Sequence, residues 1–300
     1  MKTTETKSPL FVFLAILLLS LIWGSSFILV KKSLVGYSAM QVGALRIFSA
    51  TIFFIPFFWQ RRKHIAPEQW KPLLFAGLTG NMLPALLFSL AGQHLSSALS
   101  GMLNAFTPLF ALIIGILFFA QKFIVKQTLG ILIGLIGCIG LLVSGKGFQI
   151  DFNLHALWVV LATLLYGINM HIVKTKLSGL HPLTSTSGIF MMIGPIALGI
   201  MGFSGFFSVP VDSEHLWPLL AGIGLGLLGS ALGMLLFNQI IKWTTAVIAS
   251  SVTYLIPIVA VGWGFFDGEA IYFSQIIFML VLLAGIYVVN KSINLFAKTR

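Results

Sequence analysis

The chain has 300 residues, 58% of them apolar and only 8% charged, with a formal net charge of +11. No soluble domain of this size can solvate such a surface, so the composition excludes a water-borne globular protein and indicates a polytopic membrane protein. The single cysteine, Cys138, excludes an intramolecular disulfide and a multi-cysteine metal site.

A bilayer core takes about 20 apolar residues per helix. Ten such runs follow one another: 10–30, 38–59, 69–90, 97–119, 126–144, 153–174, 183–204, 215–238, 244–265 and 273–291. The links between them are short and leave no room for a soluble domain. The first run has the character of a signal-peptide core, but nine more follow and no small-x-small cleavage site stands out. It is read as a retained first helix.

Charge alternates with the links. The N-terminal tail, the even-to-odd links and the C-terminal tail hold 14 of the 18 basic residues, among them Arg61, Arg62, Lys63, Lys122, Lys174, Lys176 and Lys242. The opposite side holds five of the seven acids: Asp151, Asp212, Glu214, Asp267 and Glu269. Basic links stay cytoplasmic, so both termini are expected on the cytoplasmic side of the cell membrane. The net charge is thereby explained by topology and calls for no nucleic acid.

Two stretches repeat at an offset of 149 residues: Gly77, Gly80, Phe88 and Pro108 fall on Gly226, Gly229, Phe237 and Pro257. The expected fold is therefore all-α, with ten transmembrane helices in two five-helix repeats, 1–146 and 147–300. Five is odd, so the second repeat enters the membrane inverted. Inverted repeats supply two interconvertible packings of similar energy, the physical basis of alternating access.

Several motifs occur in order along the chain: Trp23-Gly24-Ser25-Ser26-Phe27 in the first helix, Arg46 in the second, Gly229-Ser230-Ala231-Leu232-Gly233 through Asn238 in the eighth, and Phe266-Asp267-Gly268-Glu269 after the ninth. Together they resemble the drug/metabolite transporter superfamily, and within it the EamA-type ten-helix carriers. The resemblance implies a carrier fold and a transport role, with export as the implied direction. The halves are not chemically equivalent: Gln121 stands for Glu269, Tyr166-Gly167 for Trp23-Gly24, and Arg46 has no basic counterpart.

The candidate substrate site lies at mid-membrane. Ser97, Ser100, Gly101, Asn104 and Pro108 share one face of the fourth helix, and Ala246, Ala249, Ser250, Thr253 and Pro257 are their counterparts in the ninth. Proline removes the hydrogen bond to the carbonyl four residues back, which belongs to Asn104 for Pro108 and to Thr253 for Pro257. Each kink is expected to offer a free carbonyl beside a polar side chain. Close helix packing explains small stripes equally well. Asn81 and Asn169 are open to two readings, pocket lining or interhelical hydrogen bonding. Trp23 and Tyr166, at matching places in the two halves, either stack a planar substrate or fill the core. Arg46 suits a substrate carboxylate or a lipid headgroup reached by snorkelling. His171 suits a proton site or a satisfied interhelical contact.

No Asp or Glu falls mid-span. This argues for facilitated diffusion, exchange, or coupling through histidine or backbone carbonyls. Gly224-x-Gly226-x-x-Gly229 matches a dinucleotide fingerprint, but it lies in an apolar helix with no preceding strand; Gly222/Gly226 and Gly229/Gly233 suit small-xxx-small packing instead. The expected function is a secondary transporter of the inner membrane moving a small amphipathic metabolite such as an amino acid. The alternatives are uptake or exchange of a nucleotide-sugar-like anion, an intramembrane enzyme, and a channel. No metal cluster or paired intramembrane acids support the enzyme. No cofactor is expected. The expected partners are the substrate and membrane lipids, with a homodimer left open.

Overall fold

The computed structural model describes residues 8–119, 125–144, 153–243 and 252–297. Ten helical spans account for almost all of them. α1 is Pro9–Ser33 and α2 is Ala39–Arg61. α3 comprises Trp70–Gly77, a π-helical turn Leu78–Met82 and Leu83–Gly92. α4 comprises Ser97–Asn104 and Thr107–Phe118, and α5 is Val125–Val143. α6 is Ala156–Lys176 and α7 is Pro182–Phe203. α8 comprises Ser213–Gly224, a π-helical segment Leu225–Leu232 and Gly233–Trp243. α9 is Val252–Phe266 and α10 is Phe273–Ala297. Among the described residues, seven helices are long and apolar enough to cross a membrane, and shorter apolar helices at Leu129–Leu141, Val252–Phe266 and Phe273–Val288 complete the ten.

Local chemistry sets the helix starts. Ser8 accepts from the Phe11 N–H and Pro9 opens α1, where a missing N–H costs nothing. Ser38 and Gln41 form a reciprocal capping box at the start of α2. Asp212 accepts from the N–H groups of Glu214 and His215 at the start of α8. The outward faces are greasy: Leu10, Phe13, Leu14, Leu18 and Leu21 are exposed along one side of α1. In a bilayer such side chains meet lipid rather than water.

Four buried clusters hold the bundle, the smallest of them Val30, Tyr37, Val42 and Leu225. Phe54, Leu73, Phe190 and Ile193 join α2, α3 and α7. Phe88, Met102, Ala162 and Leu282 join α3, α4, α6 and α10. Leu19, Ile240 and Ile256 join α1, α8 and α9.

The contacts obey a two-fold rule in which each helix n exchanges with helix n+5. α5 packs on α10, α2 on α7 and α4 on α9, each pair mapping onto itself. α1 packs on α9 as α6 packs on α4, and α1 on α8 as α6 on α3. The glycines make the correspondence residue by residue. A Cβ on Gly24 would meet Val259 and the Ile256 carbonyl of α9; one on Gly167 would meet Phe110 and Ala111 of α4. Trp23-Gly24 and Tyr166-Gly167 thus occupy equivalent crossings. Gly222 and Gly226 face α2 at Leu45, Arg46 and Ser49, whereas Gly229 and Gly233 face α1 at Ser26 and Trp23. These glycines are helix-packing surfaces.

Three of the spans depart from plain α-helix, the π-helical turns unforeseen in the sequence and the break in α4 foreshadowed by Pro108. α3 and α8 both widen into π-helix where the Gly-x-x-Gly repeat stands, at Gly77/Gly80 and Gly226/Gly229. α4 stops at Asn104 and resumes at Thr107.

Candidate substrate site

The two π segments are the scaffold of the interior. A π turn carries an extra residue and loosens the regular carbonyl ladder, and such turns concentrate at functional sites. In the second half, the Trp23 indole Nε1–H donates to the Gly229 carbonyl at 2.9 Å, and Ser26 sits against the same glycine. In the first half the equivalent glycine, Gly80, is covered by the Asn169 carboxamide. Asn169 Oδ1 is buried with no hydrogen-bond partner. A buried amide oxygen left unpaired costs about 1–3 kcal/mol, and no described residue supplies a donor to this one.

Arg46 stands on the second-half side of this interior. Its Nε–H donates to Ser230 Oγ at 2.9 Å, directly beside the α8 π segment. The guanidinium therefore turns towards α8 and not outward to lipid headgroups. Its backbone carbonyl packs on Gly226; the equivalent contact in the first half is made by the Ile189 carbonyl on Gly77. Arg46 and Ile189 are thus structural counterparts, and the interior carries its cation on one side only. Tyr166 stacks on Phe88 with centroids 6.2 Å apart, and Phe88 meets Phe27 edge-on at 5.6 Å. The aromatic line therefore links α6, α3 and α1.

The kink in α4 differs from expectation. Pro108 does end the helical ladder, but the Asn104 carbonyl it releases is not free. Thr107 Oγ1 donates to it at 2.9 Å, three residues on. A neighbouring hydroxyl satisfies the orphan more cheaply than a cavity would. The Asn104 carboxamide is half-buried and makes no hydrogen bond with a described residue. α9 runs from Val252 through Pro257 without a break. Thr253 is half-buried and has a partner. Ser250, with Ala246 and Ala249, lies outside the described residues.

His171 is an interhelical contact: its Nε2–H donates to the Ala111 carbonyl at 2.7 Å and its ring stacks on Phe119 at 4.5 Å. Asn81, half-buried on the α3 π turn, has no hydrogen-bond partner among the described residues. The structure places Trp23, Arg46, Asn81 and Asn169 at one or other of the two π segments, with Tyr166 on α6 stacked on Phe88. Sequence reasoning passed over Ser26, Ser230 and Thr107. Ser230 had a usable signal, since it stands beside the repeated glycine where Asn81 stands in the other half.

One end of the bundle is closed by charge. Lys31 Nζ bridges Asp267 Oδ2 and Glu269 Oε1, each at 2.7 Å, and Lys32 pairs with Asp267. Glu269 also accepts from the backbone N–H groups of Ser97 at 2.9 Å and Ala98 at 3.0 Å, at the start of α4. Burial alone would raise the Glu269 pKa, but Lys31 and these N–H groups hold it below the usual carboxylate range. The Lys31 and Lys32 hydrogen bonds do the same for Asp267.

A family model matches the chain twice, over residues 10–143 and again over 153–291; it describes the EamA-like transporter family. The chain belongs to the EamA-like transporter family. Two of the three relatives that follow are named as transporters. It is 24% identical to the uncharacterized transporter YoaV of Bacillus subtilis, over 92% of this chain and 95% of that protein. It is 26% identical to the uncharacterized inner membrane transporter YedA of Escherichia coli K12, over 83% and 80%. It is 21% identical to the protein PagO of Salmonella typhimurium, over 93% and 92%. A crystal structure of a protein 14% identical in sequence shares the fold, with a TM-score of 0.59 over 94% of this chain and 96% of that one. As an EamA-like protein with ten apolar helices in two inverted repeats, the chain is a membrane transporter.

Proposed function

We propose that this EamA-like protein exports a small amphipathic metabolite, an amino acid or a close relative, by alternating access, with both termini in the cytoplasm. The observation that carries the reading is the pairing of opposite chemistries at the two π segments. Arg46 beside Ser230 offers charged donors to a carboxylate. Asn169 Oδ1 beside Gly80 offers an unpaired acceptor to an ammonium or amide N–H. Phe27, Phe88 and Tyr166 form an apolar line for a side chain. A zwitterion with an apolar substituent satisfies all three. Equivalent placement of the two π segments in inverted halves fits a site reached from either face in turn. The excess of basic residues on the links at the terminal face favours a cytoplasmic position for both termini.

The test is efflux from cells expressing the protein, set against Arg46→Met and Asn169→Leu variants at equal membrane level. The reading expects amino acids to accumulate in the medium with the unmodified protein and not with either variant. Accumulation of a multiply anionic metabolite, or equal efflux by all three proteins, would overturn it.

A further inference from the structure

We infer that the cluster of Lys31, Lys32, Asp267 and Glu269 is an ionic latch that seals one face of the transporter, and that releasing Glu269 from Lys31 opens that face. The inference rests on the alternating-access reading but not on the identity of the substrate.

Three elements that lie far apart in sequence meet at this cluster. Lys31 and Lys32 end α1, Ser97 and Ala98 begin α4, and Asp267 and Glu269 come from the turn between α9 and α10. In the contact scheme, α1, α4 and α9 are the helices that pack against one another around the interior. A tie joining their ends on one face cannot persist while those ends separate. The Glu269 side chain is only 3% exposed. Lys31 and Ser97, both bonded to Glu269, border a small, partly open space of about 10 Å³ together with Phe27, Phe88 and Ser100, with room for a single water. The Ser100 hydroxyl borders this space and has no hydrogen-bond partner among the described residues. The closed latch therefore borders a nearly dry plug, where the Ser100 hydroxyl gains a partner when water enters.

The opposite face is built differently. The crossing equivalence that pairs Trp23-Gly24 with Tyr166-Gly167 places Lys174 opposite Lys31. Lys174 is exposed and has no ion-pair partner among the described residues. The residue standing for Glu269 there is Gln121, neutral in sequence and outside the described residues. One face carries a charged tie; its counterpart lacks the acid that would complete one.

A helix-capping role alone makes a different forecast. Lys31→Met leaves the cap in place and removes only the ion pair. Glu269→Gln removes the ion pair and also one of the two cap acceptors, since Oε1 accepts from Ser97 and Oε2 from Ala98 and glutamine keeps one oxygen, so Lys31→Met is the variant that separates the latch from the cap. The lone native cysteine makes the experiment simple: in a Cys138→Ala, Ser100→Cys background, the rate of reaction with a membrane-impermeant maleimide is measured in cells and in inverted vesicles. The parent is expected to react slowly from the latch face. Lys31→Met and Glu269→Gln should each raise that rate about tenfold or more, as loss of a charge-assisted bond implies, and Lys31→Arg should stay protected. A second thiol, Ser208→Cys, in an exposed turn on the same face, should label equally in every variant, which shows that each is folded and inserted. Unchanged rates in Lys31→Met and Glu269→Gln, or rapid labelling of the parent from the latch face, would overturn the inference. Failure of the export reading would show as no efflux while these rates still differed.

Discussion

Replacing Gly80 by alanine sets a methyl group where the Asn169 carboxamide now lies. All three of its nearest neighbours belong to that one amide: Nδ2, Cγ and Oδ1. Neither the π turn nor the amide has slack, because Asn169 Oδ1 is already buried. Overpacking of this kind costs about 1–3 kcal/mol. Gly229 is the natural control, being the same position in the other half. There the nearest atom is the Ser26 hydroxyl oxygen at 2.9 Å and the next lies at 3.7 Å. A hydroxyl can rotate away, so Gly229→Ala should cost less than about 1 kcal/mol. Asn169→Ala should rescue Gly80→Ala, because the double variant removes the whole carboxamide and admits a single methyl. The coupling in that cycle should be stabilising by about 1–3 kcal/mol. SDS titration of the purified protein, followed by tryptophan fluorescence, gives all four free energies. A Gly80→Ala protein no less stable than Gly229→Ala, or one that Asn169→Ala fails to rescue, would refute the placement of Asn169 on the π turn.

Trp23→Phe keeps a ring against Phe237 but deprives the Gly229 carbonyl of its indole donor; a loss of about 1 kcal/mol is expected, read as a lower unfolding midpoint in detergent. Arg46→Met should weaken binding of a zwitterionic substrate about tenfold or more while sparing its methyl ester, as measured by ligand-induced thermal shift; an equal loss for both would remove Arg46 from carboxylate recognition. The latch should respond to acid in one direction only. Glu269 and Asp267 have pKa values below 4.5 and 3.8, their ordinary values, so their contribution is complete above that range and is lost as pH falls through their folded-state values. Labelling of the Ser100→Cys thiol from the latch face should therefore be flat from about pH 8 to about pH 5 once corrected for thiolate content, and should rise only in stronger acid; a rise centred near neutrality would contradict the assignment.

The ten helices were legible because membrane spans announce themselves by length and apolarity, and the inverted halves because Gly77, Gly80 and Pro108 have images at Gly226, Gly229 and Pro257. The π turns were not legible. A widened turn keeps the same apolar letters, and the approach of Asn169 to Gly80 or of Ser26 to Gly229 joins residues far apart in sequence. Pro108 signalled the break in α4 correctly but not its consequence, since whether a freed carbonyl stays free depends on whether a hydroxyl such as Thr107 lies within reach. The closing acidic turn at Asp267 and Glu269 was read as a family mark. Its union with Lys31 and the start of α4 spans 238 residues between Lys31 and Glu269, a separation no local pattern encodes.

The charge tie on one face also bears on energetics. A tie of this kind biases the resting population towards one conformation, so substrate arriving at the sealed face meets few competent molecules, and its apparent affinity falls by that fraction. The bias cannot create a gradient. In the absence of a coupled ion or exchange partner, detailed balance requires the inside and outside concentrations of a neutral or zwitterionic substrate to end equal, whatever the strength of Lys31 and Glu269. A one-sided latch alters the half-saturation seen from each side and the time needed to reach that end point, and kinetics measured from the two faces of the same vesicle would differ even where the final distribution is even.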